Sequence, residues 1–90
     1  MVEKIISIDM DGIICNIKEI PNLQVIKKIN EEFEKGNIIL INTARGWIKY
    51  VPTKKWLMDN NVKHNELIMG KPFATEYIDD KNKSVEEFIK

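Results

Sequence analysis

The sequence predicts an α/β protein in which a short parallel sheet is covered by helices. Short Ile-rich segments, typical of strands, alternate along the chain with segments whose apolar residues recur at helical spacing. Alternation of this kind favours parallel strands joined by right-handed helical crossovers. We therefore expect the order strand, helix, strand, helix, strand, turn, strand, helix within one domain of 90 residues.

The first half of the chain holds the clearest elements. Residues 3–8 form a short apolar segment with strand character, and residues 38–42 form a second one, bounded by turn residues. Residues 22–35 are predicted to be helical, with Asn22 near the start and Gly36 at the end. The apolar stripe expected to face the core consists of Leu23, Ile26, Ile29 and Phe33.

The second half is predicted to contain shorter elements. Residues 53–60 form a helix, and Asn61 suits a left-handed cap at its end. Residues 67–69 and 76–78 are candidate strands. A capping-box pattern that starts at Ser84 opens a terminal helix.

Composition narrows the class of protein. Lys plus Arg and Asp plus Glu both number 14, so no global basic field favours nucleic acid as a partner. The longest apolar run, residues 38–41, is far shorter than the roughly 18 residues needed to cross a bilayer. Cys15 is the only cysteine, which excludes an internal disulfide and a cysteine metal cluster. We expect a soluble, cytoplasmic protein with a modest core, for which homo-oligomerisation remains open.

Polar side chains follow each predicted strand at the point where it ends. Because the carboxyl ends of parallel strands meet at one edge, we expect these side chains to share a crevice. They are Asp9 and Asp11, Thr43, Lys71, and the pair Asp79 and Asp80.

This set of groups suits phosphoryl chemistry. Carboxylate oxygens are ligands for a hard cation such as Mg²⁺, and a metal beside a lysine attracts an anionic phosphate. A carboxylate beside that metal can attack phosphorus and form an aspartyl-phosphate. A second carboxylate two residues further on can protonate the leaving oxygen and then activate water.

These motifs, in this order, resemble the haloacid dehalogenase (HAD) superfamily, and specifically its phosphatases. The nearer resemblance is to small capless members associated with bacterial capsular polysaccharide biosynthesis. It is carried by the stretches IPNLQVIKKIN, INTARG, NELIMGKP and YIDDK. The resemblance implies a three-layer α/β/α Rossmann-like core with about four parallel strands in the order 4-1-2-3. Too few residues follow Gly12 or Thr43 to hold a cap domain, so the site should be open.

The resemblance also implies the catalytic and metal-binding roles. Asp9 would be the nucleophile and a Mg²⁺ ligand. Asp11 would be the general acid and base and would give its backbone carbonyl to Mg²⁺. Asp80 aligns with the acidic residue that holds the metal after the last core strand, and Asp79 would be a direct or an outer ligand.

The phosphoryl group would be held by residues after the second and third strands. Thr43 would contact the phosphoryl oxygens together with the neighbouring backbone of Ala44 and Arg45, and Lys71 would neutralise charge. Arg45 would contact the substrate anion or form a surface ion pair, and both interpretations remain open.

Other residues have plainer interpretations. Ile13 stands where many relatives carry Thr, which removes a hydroxyl hydrogen bond from the turn. Trp47 and Tyr50 lie near the predicted mouth, where stacking on a sugar ring competes with packing inside the domain or at a subunit interface. His64 is expected to be a solvated loop residue and Cys15 a small core residue.

The preferred function is that of a Mg²⁺-dependent phosphatase acting on a small phosphorylated metabolite, with a sugar phosphate implied by the resemblance alone. A phosphatase acting on polynucleotide ends is a second hypothesis, although the neutral charge opposes it. A phospho-receiver module conflicts with the motif order, because the adjacent acidic pair comes last here. A catalytically weak binding subunit is a further alternative, which Ile13 keeps open.

Overall fold

The computed structural model describes residues 4–70 and residue 89. Within this part the chain forms three strands and two α-helices, with a single 3₁₀ turn before the second helix. Neither helix is long and apolar enough to cross a membrane. The elements are β1 (Ile5–Asp9), α1 (Leu23–Glu34), β2 (Ile38–Asn42), the 3₁₀ turn (Trp47–Lys49), α2 (Tyr50–Asp59) and β3 (Glu66–Ile68).

The three strands form a parallel sheet in the order β1-β2-β3. The register pairs Ile5 with Ile38 and Asp9 with Asn42, so β1 and β2 end side by side. The predicted alternation of strands and helices and the parallel pairing are therefore confirmed for this part of the fold. The predicted fourth strand, at residues 76–78, and the predicted start of the terminal helix at residue 84 lie outside the described residues.

Helix α1 begins and ends where the sequence predicts. The Asn22 side chain accepts a hydrogen bond from the Val25 N–H at 3.2 Å, which satisfies one of the free donors of the first turn. The chain leaves the helix through Gly36, whose φ of 92° favours glycine. The predicted apolar stripe is wrong at Leu23, because this residue lies on the outer side of the first turn and is 72% exposed. Val25 takes its place in the core.

Helix α2 begins earlier than predicted, at Tyr50 instead of residue 53. Pro52 therefore lies inside the first turn, where an N–H has no partner within the helix and its absence costs nothing. Asn61 follows the helix with a φ of 55°, as the predicted left-handed cap requires. Thr53 and Leu57 form the buried face of α2.

The core lies between the sheet and the helices. The strands contribute alternate residues, and α1 and α2 cover them with their buried faces. Such a continuous apolar contact surface accounts for most of the favourable free energy of folding in a small domain. The buried cluster consists of Ile8, Met10, Ile14, Cys15, Val25, Ile26, Ile29, Ile39, Ile41, Leu57 and Val62.

His64 does not have the solvated environment that the sequence suggests. It is partly buried, and its Nδ1 donates to the Val62 carbonyl at 2.9 Å. Its Nε2 then accepts from the Lys54 ammonium at 2.7 Å. Burial lowers the pKa of His64 and favours this neutral form. The residue joins α2 to the segment before β3, which is a structural role.

Glu32 is a buried carboxylate on the inner side of α1, with only 5% of its surface exposed. It lies 3.2 Å from the Lys28 ammonium and 3.1 Å from that of Lys35, and it accepts a hydrogen bond from Asn37 Nδ2 at 2.7 Å. Burial raises the pKa of Glu32, but these donors outweigh burial and lower it from 4.5 to about 2. The charged form therefore stabilises the end of α1 and the start of β2.

We expect Glu32→Gln to destabilise the fold at neutral pH by about 2 kcal/mol, because the lysines lose their buried partner. The folded-state pKa is depressed, so this contribution is present above the unfolded value of 4.5 and is lost as the pH falls toward about 2. Urea unfolding of the wild type and of Glu32→Gln across this pH range measures the difference in the free energy of unfolding. Glu31→Gln, which changes an exposed carboxylate of the same helix, is the control and should have little effect. A difference between wild type and Glu32→Gln that stays constant with pH would contradict the assignment.

Candidate active site

The site begins at Met10, which lies between the two aspartates that follow β1. Its N–H donates to the Asn42 carbonyl at 2.8 Å and extends the pairing with β2 beyond the last strand residue. Its carbonyl accepts from the N–H groups of Ile13, Ile14 and Cys15, at distances from 2.9 to 3.3 Å, and this closes a tight turn. Gly12 allows the turn, with a φ of 92°. Asp9 and Asp11 are thereby held on either side of a backbone fixed at both its N–H and its carbonyl.

Backbone bonds and core packing hold this turn without a hydroxyl at position 13. Ile13 is partly buried and packs against the core, and Ile14 beside it is fully buried. Cys15 is also buried, as the sequence predicts for a small apolar residue. Burial is the main cause that raises the pKa of its thiol, which disfavours the reactive thiolate form.

Asp11, Thr43 and Arg45 form a closed hydrogen-bond cluster across the ends of β1 and β2. The Thr43 hydroxyl donates to Asp11 Oδ2 at 2.8 Å, and Arg45 Nη2 donates to Asp11 Oδ1 at 2.8 Å. The Arg45 backbone N–H donates to the Thr43 hydroxyl at 3.1 Å. Thr43 is only 3% exposed, so its hydroxyl has a fixed environment. The predicted convergence of these strand ends is present.

Arg45 is held by three parts of the chain. Besides Asp11, it donates from Nη1 to the Thr53 hydroxyl of α2 at 3.2 Å, and its Nη2 lies 3.5 Å from the Glu19 carboxylate. The hydrogen bond to Asp11 is the main cause that raises the pKa of Arg45. Arg45 therefore forms an ion pair, as one of the two interpretations predicts. The pair lies inside the site, and the Arg45 side chain is 20% exposed.

The protonation state of Asp11 follows from these contacts. Burial raises its pKa, but the hydrogen bonds from Arg45 and Thr43 and the charge of Arg45 outweigh burial, and the pKa lies below its ordinary value. At neutral pH Asp11 is thus a carboxylate with both oxygens occupied as acceptors. Because these contacts stabilise the charged form, Asp11 can take up and donate a proton only after Arg45 moves away.

The loop at residues 12–22 forms one side of the site. Asn16 Oδ1 accepts from the N–H groups of Lys18 and Ile20, which makes the loop a compact turn. Glu19 has a φ of 61°, and its carbonyl accepts from Trp56 Nε1 of α2 at 3.2 Å. The sequence pattern does not indicate that Glu19 and Thr53 belong to the site. Nothing in their local sequence distinguishes them, since only the tertiary fold brings them to Arg45.

The other predicted site residues divide into two groups. Asp9 is the last residue of β1 and is partly buried, and Ala44 lies exposed between Thr43 and Arg45. The remaining residues predicted for the site lie outside the described part of the chain, so the structure does not place them. They are Lys71, Asp79 and Asp80.

Metal binding can be tested against the donors that are present. Residues 4–70 and 89 contain no group of three or more Asp, Glu, His or Cys side chains that could hold an ion. They do offer two oxygen donors, the Asp9 carboxylate and the Asp11 backbone carbonyl. The Asp11 backbone carbonyl accepts no hydrogen bond from a described residue. Both are hard oxygen donors of the kind Mg²⁺ prefers. The Asp11 carboxylate is an unsuitable ligand while it contacts the Arg45 guanidinium.

The fold and the site together define an α/β protein with acidic groups at the carboxyl edge of a parallel sheet. A structural-genomics target protein from Vibrio cholerae has a similar structure, with a TM-score of 0.79 and 29% identity over 97% of this chain and 88% of that chain. A chain of the Pnkp1/Rnl/Hen1 complex is also similar, with a TM-score of 0.71 and 14% identity over 88% of this chain and 32% of that chain. No protein-family model and no curated protein matches the sequence.

We expect Arg45→Gln to raise the pKa of Asp11, because the substitution removes both a charge-assisted hydrogen bond and a nearby positive charge. Carboxyl ¹³C shifts of Asp11 followed by NMR across an acid titration measure the change. Lys55→Gln is a matched control, since Lys55 is an exposed cation paired with Asp59 at 2.7 Å and does not contact Asp11. An unchanged Asp11 titration in Arg45→Gln would show that the ion pair does not control this carboxylate.

Proposed function

We propose that the protein is a HAD-type phosphatase, a Mg²⁺-dependent phosphoric monoester hydrolase that acts on a small phosphorylated metabolite through an aspartyl-phosphate on Asp9. The observation that carries this proposal is the Asp11–Thr43–Arg45 cluster beside Asp9. A second carboxylate two residues from a nucleophilic one, held by a hydroxyl and a guanidinium, suits the handling of a phosphoryl group and its proton.

In the first step an Asp9 carboxylate oxygen attacks phosphorus. A new O–P bond forms, the bond from phosphorus to the leaving oxygen breaks, and that oxygen takes a proton from Asp11. Arg45 works against this step while it contacts Asp11, because it favours the carboxylate. An incoming phosphate dianion competes with Asp11 for the guanidinium, and a shift of Arg45 to the phosphate allows Asp11 to take up a proton from solvent, which it then gives to the leaving oxygen.

In the second step Asp11 acts as a base. Its carboxylate takes a proton from water, the water oxygen bonds to phosphorus, and the bond to Asp9 breaks to release inorganic phosphate. Asp11 is in the charged form that this step needs, because it gave its proton to the leaving oxygen in the first step. Thr43 keeps the carboxylate in place through its hydroxyl.

The residues proposed to hold Mg²⁺ are Asp9, the backbone carbonyl of Asp11, and Asp80 with Asp79 beside it. When bound, the ion supplies positive charge where the phosphoryl oxygens gain negative charge. Lys71 is proposed to add a further positive charge to the site. The resemblance of the four motifs to HAD phosphatases supports this assignment.

A catalytically weak binding subunit is the second candidate. It is favoured by the two ion pairs of Arg45, with Asp11 and with Glu19. These ion pairs oppose a shift of Arg45 toward a substrate. A polynucleotide-end phosphatase is less well supported, because the net charge is zero and Arg45 is already paired with two carboxylates. The rate of phosphate release separates these candidates.

We expect Asp9→Asn to abolish Mg²⁺-dependent phosphate release, because an amide oxygen cannot replace the carboxylate as nucleophile. The assay compares sugar phosphates, an aryl phosphate and a 3′-phosphorylated oligonucleotide, each with Mg²⁺ and with EDTA. Asp59→Asn is the control, as it removes an exposed carboxylate far along α2 that pairs with Lys55. Release that survives in Asp9→Asn would exclude Asp9 as the nucleophile, and no release from wild type would favour the binding subunit.

Thr43 provides a second test of the same mechanism. We expect Thr43→Val to lower kcat by roughly one hundredfold, because the nearly isosteric side chain cannot donate to Asp11 or accept from the Arg45 N–H. Thr43→Ser keeps the hydroxyl and should retain most of the rate. Steady-state kinetics with the best substrate of the panel compares the two variants. A wild-type kcat in Thr43→Val would show that the hydroxyl is not needed, and a loss in Thr43→Ser as large as that in Thr43→Val would show that the hydroxyl alone does not explain the effect.

A further inference from the structure

Two aromatic side chains on the segment that follows Arg45 are stacked on each other. The rings of Trp47 and Tyr50 have centroids 5.8 Å apart and planes inclined by 22°. Trp47 is nevertheless 66% exposed, so it does not serve as a core residue. A stacked pair holds its rings in a fixed orientation at little further cost in side-chain entropy.

The backbone places this pair at the edge of the site. Trp47 follows Arg45 by two residues, and the Arg45 carbonyl accepts from the Gly70 N–H at 2.7 Å. The Trp47 indole then lies beside Gly70, where a Cβ would be 3.8 Å from Cδ1 and Nε1. The indole therefore adjoins the carboxyl end of β3, at the same sheet edge as the Asp11–Thr43–Arg45 cluster.

We propose that Trp47 and Tyr50 form a shelf for the leaving group of the substrate, and that the enzyme prefers phosphate monoesters whose leaving group carries a sugar or aromatic ring. This inference rests on the proposed phosphatase function. Binding sites for small molecules combine a few placed polar groups with aromatic surface, and here the polar groups come from the cluster and the aromatic surface from the shelf. A ring covers the exposed indole face, whereas a short acyclic chain leaves it in water.

Self-association through α2 is the competing explanation for the exposed indole. Ile48 in the 3₁₀ turn and Val51 and Met58 in α2 are 91%, 74% and 67% exposed, and together they give this segment an apolar outer surface. Trp47 differs from these residues because it is stacked on Tyr50 and adjoins the site through Gly70. Met58 therefore offers a control that weakens this apolar outer surface without changing the shelf.

The test compares kcat/KM for two ring-bearing monoesters, phenyl phosphate and glucose 6-phosphate, with that for acyclic glycerol 3-phosphate. We expect Trp47→Ala to lower kcat/KM for both ring substrates about fivefold, mainly through KM, and to leave glycerol 3-phosphate within about twofold. Trp47→Phe should restore most of the loss, and Met58→Ala should change none of the three. Equal losses for all three substrates, or a dimer seen by sedimentation that Trp47→Ala and Met58→Ala both dissociate, would overturn the proposal in favour of an interface.

A binding measurement keeps the inference testable if no turnover is found. The Asp9→Asn variant is titrated with phenyl phosphate and with inorganic phosphate, and its tryptophan fluorescence is measured. The same titration is made with a double variant that also carries Trp47→Phe. We expect phenyl phosphate to change the fluorescence and the change to disappear with Trp47→Phe, because Trp56 is then the remaining indole. Binding without turnover in wild type would refute the phosphatase and retain the shelf. The same response to phenyl phosphate with and without Trp47 would refute the shelf.

Discussion

The site depends on the backbone of Met10. Its N–H binds the Asn42 carbonyl of β2, and its own carbonyl receives three N–H groups of the following turn. The side chain is fully buried, so the residue is fixed from the core as well as from the sheet. A strand that simply frayed after Asp9 would leave Asp11 mobile. Because Met10 is held on all sides, the carboxylates on either side of it are placed before any ligand arrives, which reduces the entropy cost of binding.

The second constraint is the shortage of positive charge at the site within the described residues. Arg45 contacts Asp11 and Glu19 together, while Thr53 holds its other nitrogen. Two carboxylates around one guanidinium leave the cluster with a net negative charge, which repels a phosphate dianion. Phosphate binding therefore requires additional cations, and a divalent ion with Lys71 would meet that need under the proposed function.

The sequence predicted those features that depend on local pattern. The start of α1 at Asn22 and its end at Gly36 follow from capping and from backbone freedom, and both are confirmed. Convergence of Asp11 and Thr43 follows from parallel pairing. The buried Glu32 could not be predicted, because an acidic residue in an amphipathic helix ordinarily faces water. The inward orientation of Arg45 could not be predicted either, since its partner Thr53 belongs to another element.

Under the proposed function, the loop at residues 12–22 and the aromatic pair would limit the size of the substrate. The loop is short and compact, and its contact with Trp56 fixes it against α2. Trp47 stands on the other segment that borders the site, supported by Tyr50. Among the described residues neither segment is long enough to enclose a ligand, so under the proposed function selectivity would come from surface that the ligand touches on one side. Under the proposed function, such a site would discriminate by the shape of the leaving group next to phosphorus, and ring stacking is a contact that an exposed indole can provide.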